Sequence, residues 1–248
     1  MSGEELSRSF GAAADAYESG RPGYPLEAVS WLVGEPRRAG RRTRVADVGA
    51  GTGKLTRAVA ELEAEVVAVD PDPNMLARLH RALPGVPTFL GTAERLPLPD
   101  ASVDVVVLGQ AWHWVEPTAG STEVARVLRA GGRLGLIWNL RDESEPWVAR
   151  LTGVLGGSTA ERMVGEGRPT LAPPFDTVES RMWRWSRTLT RGELFDLARS
   201  RSALITAAAD RRHRMEQSLA DLCDELGLSG DATIELPYIT RAFRASRP

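Results

Sequence analysis

Twelve residues constrain this chain more than any others: Val45-Ala46-Asp47-Val48-Gly49-Ala50-Gly51-Thr52-Gly53-Lys54-Leu55-Thr56. They read as a short apolar strand with an acid near its end, a glycine-rich turn, and the start of a helix. Alternating glycines let the turn take positive φ and bring its backbone close to a ligand. The open amides of the following helix N-terminus add donors and a partial positive charge. A nucleotide-like ligand is the first expectation, and spacing narrows it. A P-loop requires Gly, four residues, then Gly-Lys-Ser or Gly-Lys-Thr. Val48 stands where the first glycine should be, and Leu55 where the hydroxyl should be. A dinucleotide fingerprint requires Gly-x-Gly-x-x-Gly. Gly49 and Gly51 fit it, but the third position falls on Lys54. What remains is Asp-x-Gly-x-Gly-x-Gly. That pattern suits a ligand with an amino-acid end and a nucleoside but no phosphate, Asp47 serving the ammonium or, through water, other polar groups.

From residue 44 to 138 strand and helix signals alternate, which implies parallel strands joined by crossover helices. Strands are expected over 44–48, 65–70, 87–90, 102–108 and 133–139, with helices over 53–63, 74–83 and 118–129. Val103-Asp104-Val105-Val106-Val107-Leu108 is almost continuously apolar, as a strand covered on both faces should be. Asp70 ends the second strand seventeen residues past Gly53, near the distance at which such folds place a carboxylate on ribose hydroxyls. Asp70-Pro71-Asp72-Pro73 would equally start a helix with no ligand at all.

Upstream, helices are expected over 4–18 and 26–34, broken by Gly20-Arg21-Pro22-Gly23-Tyr24-Pro25 and followed by a basic linker over 37–44. Tyr17, Arg21 and Tyr24 read either as an arm packed on the core or as a flap over the ligand, with an arginine to meet a carboxylate. Downstream, a helix over 146–155 leads into a turn-rich stretch from Gly156 to Pro174. A strand over 178–188, helices over 191–200 and 203–226, and a terminal strand over 234–244 complete the chain.

Composition excludes several classes. The 248 residues suit one large α/β domain or one domain with a lid. A hydrophobic fraction of 42% and a formal charge of -2 fit a soluble globular protein and lack the basic face of a nucleic-acid partner. Lys54 is the only lysine among 31 basic residues, which reads as the codon bias of a GC-rich genome. Cys223 is the only cysteine, so neither an intramolecular disulfide nor a cysteine metal site is expected, and no metal is invoked. Glu4 and Glu5 make the N-terminus unlike a signal peptide, and no apolar run approaches the ~20 residues of a membrane-spanning helix. A cytoplasmic protein is expected.

The glycine turn resembles motif I of the class I S-adenosylmethionine-dependent methyltransferases. The likeness continues in Gly91-Thr92-Ala93-Glu94-Arg95-Leu96-Pro97, in Gly109-Gln110-Ala111-Trp112-His113-Trp114, and in Val127-Leu128-Arg129-Ala130-Gly131-Gly132. Phe10-Gly11, Tyr17, Arg21-Pro22 and Tyr24-Pro25 look like the leader of a small-molecule branch that includes trans-aconitate and ubiquinone-biosynthesis methyltransferases. The resemblance implies a Rossmann-like seven-stranded, mostly parallel sheet with an antiparallel last strand, an N-terminal helical flap and a helical insertion near the C-terminus. It implies one domain: a cap over 1–43, a cofactor core over 44–140, and the rest of the sheet with its insertion over 141–248. It implies S-adenosylmethionine as cofactor and a small-molecule methyl acceptor. Asp47, Gly49, Ala50, Gly51 and Gly53 would cradle the cofactor, and Asp70, Pro71 and Met75 its ribose side. Thr92, Ala93 and Glu94 would meet adenine, with Thr92 where many relatives carry aspartate, and Gln110 would follow strand four. Tyr17, Arg21, Tyr24, Trp112 and Trp114 would shape the pocket, and His113 is the candidate general base. The alternative reading is that Trp112 and Trp114 fill the core and His113 is only a hydrogen-bonded neighbour. The Gly131-Gly132 pair would close the helix before strand five. Two other classes stay open: a catalytically silent cofactor-binding or scaffold protein, and a nicotinamide-dependent oxidoreductase on a similar sheet. The glycine spacing argues against the latter.

Overall fold

Valine-rich runs decide the architecture. A computed structural model of the chain describes residues 20–34, 41–157, 164 and 167–248. In it β1 (Arg44–Val48), β2 (Glu65–Asp70), β3 (Thr88–Leu90), β4 (Val103–Gly109), β5 (Leu128–Arg141), β6 (Val178–Thr190) and β7 (Thr233–Ser246) form one seven-stranded sheet. Its order is β3-β2-β1-β4-β5-β7-β6, parallel from β3 to β5 with antiparallel last strands. Chain order reverses between β1 and β4, so their carboxyl ends open the crevice in which such sheets bind ligands. The register places Asp47 beside Ala68 of β2 and Val107 of β4, and Asp70 beside Leu90 of β3.

The helices are α1 (Leu26–Val33), α2 (Lys54–Ala60), α3 (Pro73–Ala82), α4 (Pro117–Val127), α5 (Pro146–Leu155), α6 (Arg191–Arg199), the single turn α7 (Ser202–Ile205) and α8 (Ala209–Glu225). Local chemistry starts several of them. Asp72 caps α3 by accepting from the Asn74 N–H, with Pro73 at the first helical position. Glu116 caps α4 through the Thr118 and Ala119 N–H groups. Thr190 and Glu193 form a reciprocal capping box on α6.

The described residues pack as two compact units, one drawn from those within 23–34, 41–139, 164, 167–183 and 240–248, the other from those within 20–22, 140–157 and 184–239. β5, β6 and β7 contribute residues to both. In the first unit Ala28, Val29 and Leu32 of α1, Leu55 and Val59 of α2, and Leu79 of α3 close over Val45, Ala68, Val105 and Ile137 of the sheet. In the second, α5, α6 and α8 share a core of Val148, Leu151, Leu194, Leu197, Leu219 and Leu222 with Leu236 of β7. The sole cysteine, Cys223, is fully buried there. Among the described residues no helix is long and apolar enough to cross a membrane.

Three expected boundaries are corrected. α2 ends at Ala60, short of 63, where Glu63 takes a φ of 56°. α4 ends at Val127 rather than 129, and β5 begins at once, so the glycine pair does not close the helix. Arg129 donates to Asp104 and to the Ser102 carbonyl at the start of β4, which draws the chain into the sheet at Leu128. Gly131 then lies in a bulge, where the register advances five positions along β5, from Leu128 to Arg133, for two along β4, from Val103 to Val105. The expected helix over 203–226 is split, because Arg212 donates to the carbonyls of Leu204 and Ala207 and ends α7 there. The expected helix over 4–18, with Tyr17, lies outside the described residues.

Candidate cofactor site

The glycine turn is pinned to the end of β2. The Gly49 and Ala50 N–H groups both donate to the Val69 carbonyl (2.8 and 3.1 Å). The Gly51 N–H donates to Asp70 Oδ2 (2.8 Å). Gly49, Gly51 and Gly53 all have positive φ. Gly49 is doubly constrained: besides a φ of 69°, a Cβ there would lie 2.7 Å from that of Ala111. The sequence pattern of glycine at every second position thus corresponds to three left-handed residues wrapped around one strand end.

Two carboxylates meet at this turn. Asp47 is fully buried. Its Oδ2 accepts from the Thr56 hydroxyl of α2 (2.6 Å), and its Oδ1 has no hydrogen-bond partner. Burial, reinforced by the neighbouring charge of Asp70 and opposed by the Thr56 bond, raises its pKa from an ordinary 3.8 to about 7. Asp70 is 6% exposed, and its two oxygens take the Gly51 and Asp72 N–H groups. Burial raises its pKa to about 6 against those two bonds. Helix capping falls to Asp72, which leaves Asp70 facing the turn. No Lys or Arg among the described residues pairs with either acid. The Thr52 hydroxyl, buried in the same turn, has no partner either.

The loop after β3 turns back tightly through Thr92 and Arg95, which exchange backbone hydrogen bonds. It buries Ala93, whose N–H makes no hydrogen bond among the described residues, and uses Glu94 to accept from the Glu116 N–H (3.0 Å). Pro71 links Asp70 to the capping Asp72, and Met75 is buried on α3.

Beyond β4 the backbone is held in an uncommon conformation. Gln110 has a φ of 57°, a position where non-glycine residues are rare outside constrained sites. Its N–H donates to Ile137 and its Nε2 to the Asn139 carbonyl. A short 3₁₀ turn, Trp112–Trp114, follows. Trp112 is 2% exposed, donates its indole N–H to the Thr170 carbonyl, and fills the interior. Trp114 is 39% exposed, with the half-buried His113 ring 4.6 Å from it.

Tyr24 comes to this place from the N-terminal side. A Cβ on Gly109 would lie 2.6 Å from the Tyr24 hydroxyl and 3.1 Å from Leu55, so the glycine admits the phenol over the end of β4. Asn139 holds that segment: its Nδ2 donates to the Gly23 carbonyl (2.7 Å) and its Oδ1 accepts from Thr240 (2.7 Å). Arg21 belongs to the other unit, where it donates to the side chain and carbonyl of Ser200.

Sequence reasoning missed Thr56 and Asn139. Both carried a signal, since each is a polar residue at a position whose periodicity demands burial.

The comparisons agree with this geometry. A methyltransferase-domain family matches residues 46–136, the span from β1 into β5. An uncharacterised methyltransferase of Mycobacterium tuberculosis is 46% identical over 98% of this chain and 97% of its own length. A methyltransferase-like protein of Schizosaccharomyces pombe is 31% identical over 97% of this chain and 96% of its own. Among solved structures, one described as a type II methyltransferase of Anaeromyxobacter dehalogenans superposes with a TM-score of 0.70 at 28% identity, covering 92% of this chain and 97% of that one. With its parallel sheet, its acid-glycine turn and relatives matched end to end, this chain belongs to the class I S-adenosylmethionine-dependent methyltransferases.

Proposed function

We propose that the carboxyl ends of β1, β2 and β4 bind S-adenosylmethionine and that the enzyme transfers its methyl group to a small-molecule acceptor. One observation carries the reading: Asp47 and Asp70 are buried together at a glycine turn, and no ion pair joins either to a Lys or Arg among the described residues. Burying two like charges is unfavourable, and clustered, strongly shifted carboxylates mark functional sites. A phosphate-bearing dinucleotide would add a third negative centre. A ligand with an ammonium, ribose hydroxyls and a sulfonium supplies what these acids lack.

In this reading Asp70 accepts from the ribose hydroxyls while the Gly51 and Asp72 amides keep it in place. The free oxygen of Asp47 faces the amino-acid end, and the Ala93 N–H meets the base edge. When bound, the cofactor supplies a methyl carbon activated by its sulfonium. Tyr24 over Gly109 excludes water from the end of β4, and the strained Gln110 backbone aims the His113-Trp114 turn. The open face of Trp114 favours positive charge. His113 takes a proton where the acceptor atom carries one. Alignment and water exclusion account for much of the remaining rate.

Calorimetric titration with S-adenosylmethionine, S-adenosylhomocysteine and a nicotinamide dinucleotide tests this. The first two should bind and the dinucleotide should not; the reverse pattern overturns the proposal. With an acceptor in hand, His113→Ala should lower kcat by about 10²-fold or more for a protonated nucleophile, and an unchanged kcat would remove the base role.

A further inference from the structure

The longest helix of the second unit leaves one side open. α8 turns Leu219, Leu222 and Cys223 towards the core it shares with α5 and α6. Beside that buried stripe a groove of about 570 Å³ runs between α8 and α5. On the α8 side it is lined at Arg211, Met215, Ser218, Leu222 and Glu225, which advance by four, three, four and three residues. That is the spacing of a seam along which one helix lies against another. It covers fourteen residues, about 21 Å of helix.

The charges of the seam are sorted by end. Arg211 and Arg214 line its amino-terminal half, and Asp221 and Glu225 its carboxyl-terminal half. A helix alone is stabilised by acids at its start and bases at its end, so this order works against α8 itself. The two arginines are also left over inside the unit. Glu216 pairs with Arg199 and Asp224 with Arg191, and neither Arg211 nor Arg214 has an ion pair among the described residues. Glu225 and Asp221 meet only Arg150 of α5 (2.7 Å) and the Gln217 amide (3.0 Å).

Such a helix is its own complement. Ser218 lies seven residues from both Arg211 and Glu225. A second α8, turned end for end about Ser218, sets its Glu225 against Arg211 and its Asp221 beside Arg214, and two-fold symmetry makes each contact twice. The two helix dipoles then oppose each other, whereas a parallel pairing sets like charges together. A partner of one sign, such as a nucleic acid, would meet its own charge at one end of the groove. The floor is apolar, with Met215 and Val154 only partly buried. At Gly153 of α5 an added Cβ would meet nothing within 4 Å, so that wall leaves room for a neighbouring helix.

We propose that α8 is the interface of a two-fold dimer, in which the α8 of one copy lies antiparallel in the α5–α8 groove of the other and the helices cross at Ser218. The proposal goes beyond the methyltransferase reading and does not depend on it.

Sedimentation velocity on the full-length protein tests it. The native chain should dimerise with rising concentration, and salt should weaken the dimer by screening its rim charges. Arg211→Glu and Glu225→Arg should each weaken self-association at least about tenfold, because each sets like charges face to face. An equimolar mixture of the two variants should dimerise as the native chain does, since all facing charges are then opposite. Thermal melts check that both variants fold. Ser218→Cys gives a reading that needs no charge change: mild oxidation should link it into a disulfide dimer, while the buried Cys223 stays free. Arg211→Cys should not link, because its counterpart would lie about 21 Å away along the seam. A native chain that stays monomeric up to about 200 µM would overturn the proposal. So would a dimer indifferent to Arg211→Glu, a mixture no better than its components, or cross-linking as ready at 211 as at 218.

Discussion

The acidic turn of the first unit and the arginines around the buried Tyr238 of the second are opposites in more than charge. Asp47 and Asp70 belong to adjacent parallel strands and meet because the parallel register brings the two strand ends together and the glycine turn after β1 donates its Gly51 N–H to Asp70. The Tyr238 cluster is gathered from separate stretches of chain, with Arg21, Arg141, Arg187 and Arg201 far apart in sequence. The acids carry the greater electrostatic burden, because they repel each other and lie beside the apolar neighbours Ala68, Val107 and Leu90. The arginines are each tied to a hydroxyl or carbonyl acceptor. A cluster defined by short-range spacing is readable without a structure. One defined by convergence is not.

The largest expected effect sharpens the contrast at Asp47. Its carboxyl titrates at about 7 in the fold against an ordinary 3.8, so the folded state holds a proton that the unfolded chain has released. Stability contributed by that proton is present below about pH 4, falls as pH rises through 7, and is flat above. Asp47→Asn carries no such penalty. It should therefore be more stable than the native chain at pH 8, by at most about 4 kcal/mol, with the difference vanishing towards pH 4. Denaturant melts at both pH values check this, and parallel profiles would contradict it. A middle effect is expected at Asn139, whose amide ties Gly23 and Thr240. Asn139→Ala should cost about 1–3 kcal/mol by removing both of these hydrogen bonds. The smallest is expected in the other unit: Tyr238→Phe removes a hydroxyl with no protein partner and should change stability by less than about 0.5 kcal/mol. A large loss there would mean that the phenol serves the fold.

Much of the first unit was legible in the residues. The strands over 44–48 and 65–70 are legible to the residue, as is the helix over 146–155 in the second unit, because apolar runs there are bounded by acids, glycine or proline. What failed was set by distant contacts. Arg129 pulls the chain out of α4 before the glycine pair. Arg212 breaks an alanine-rich stretch whose own propensity is helical. Gln110 gave no warning of its positive φ, since only glycine advertises that conformation. In a chain this rich in arginine, composition could not distinguish the buried Arg141 and Arg201 from the many at the surface.

The central claim is that the carboxylate at the end of β2 is kept buried for a ligand. Titration of the native chain and of Asp70→Asn with S-adenosylhomocysteine tests it most directly. The account predicts saturable binding to the native chain and a loss of about 10²-fold or more in the variant, the scale of two charge-assisted hydrogen bonds. Equal affinities in the two proteins, or no binding to the native chain, would contradict it.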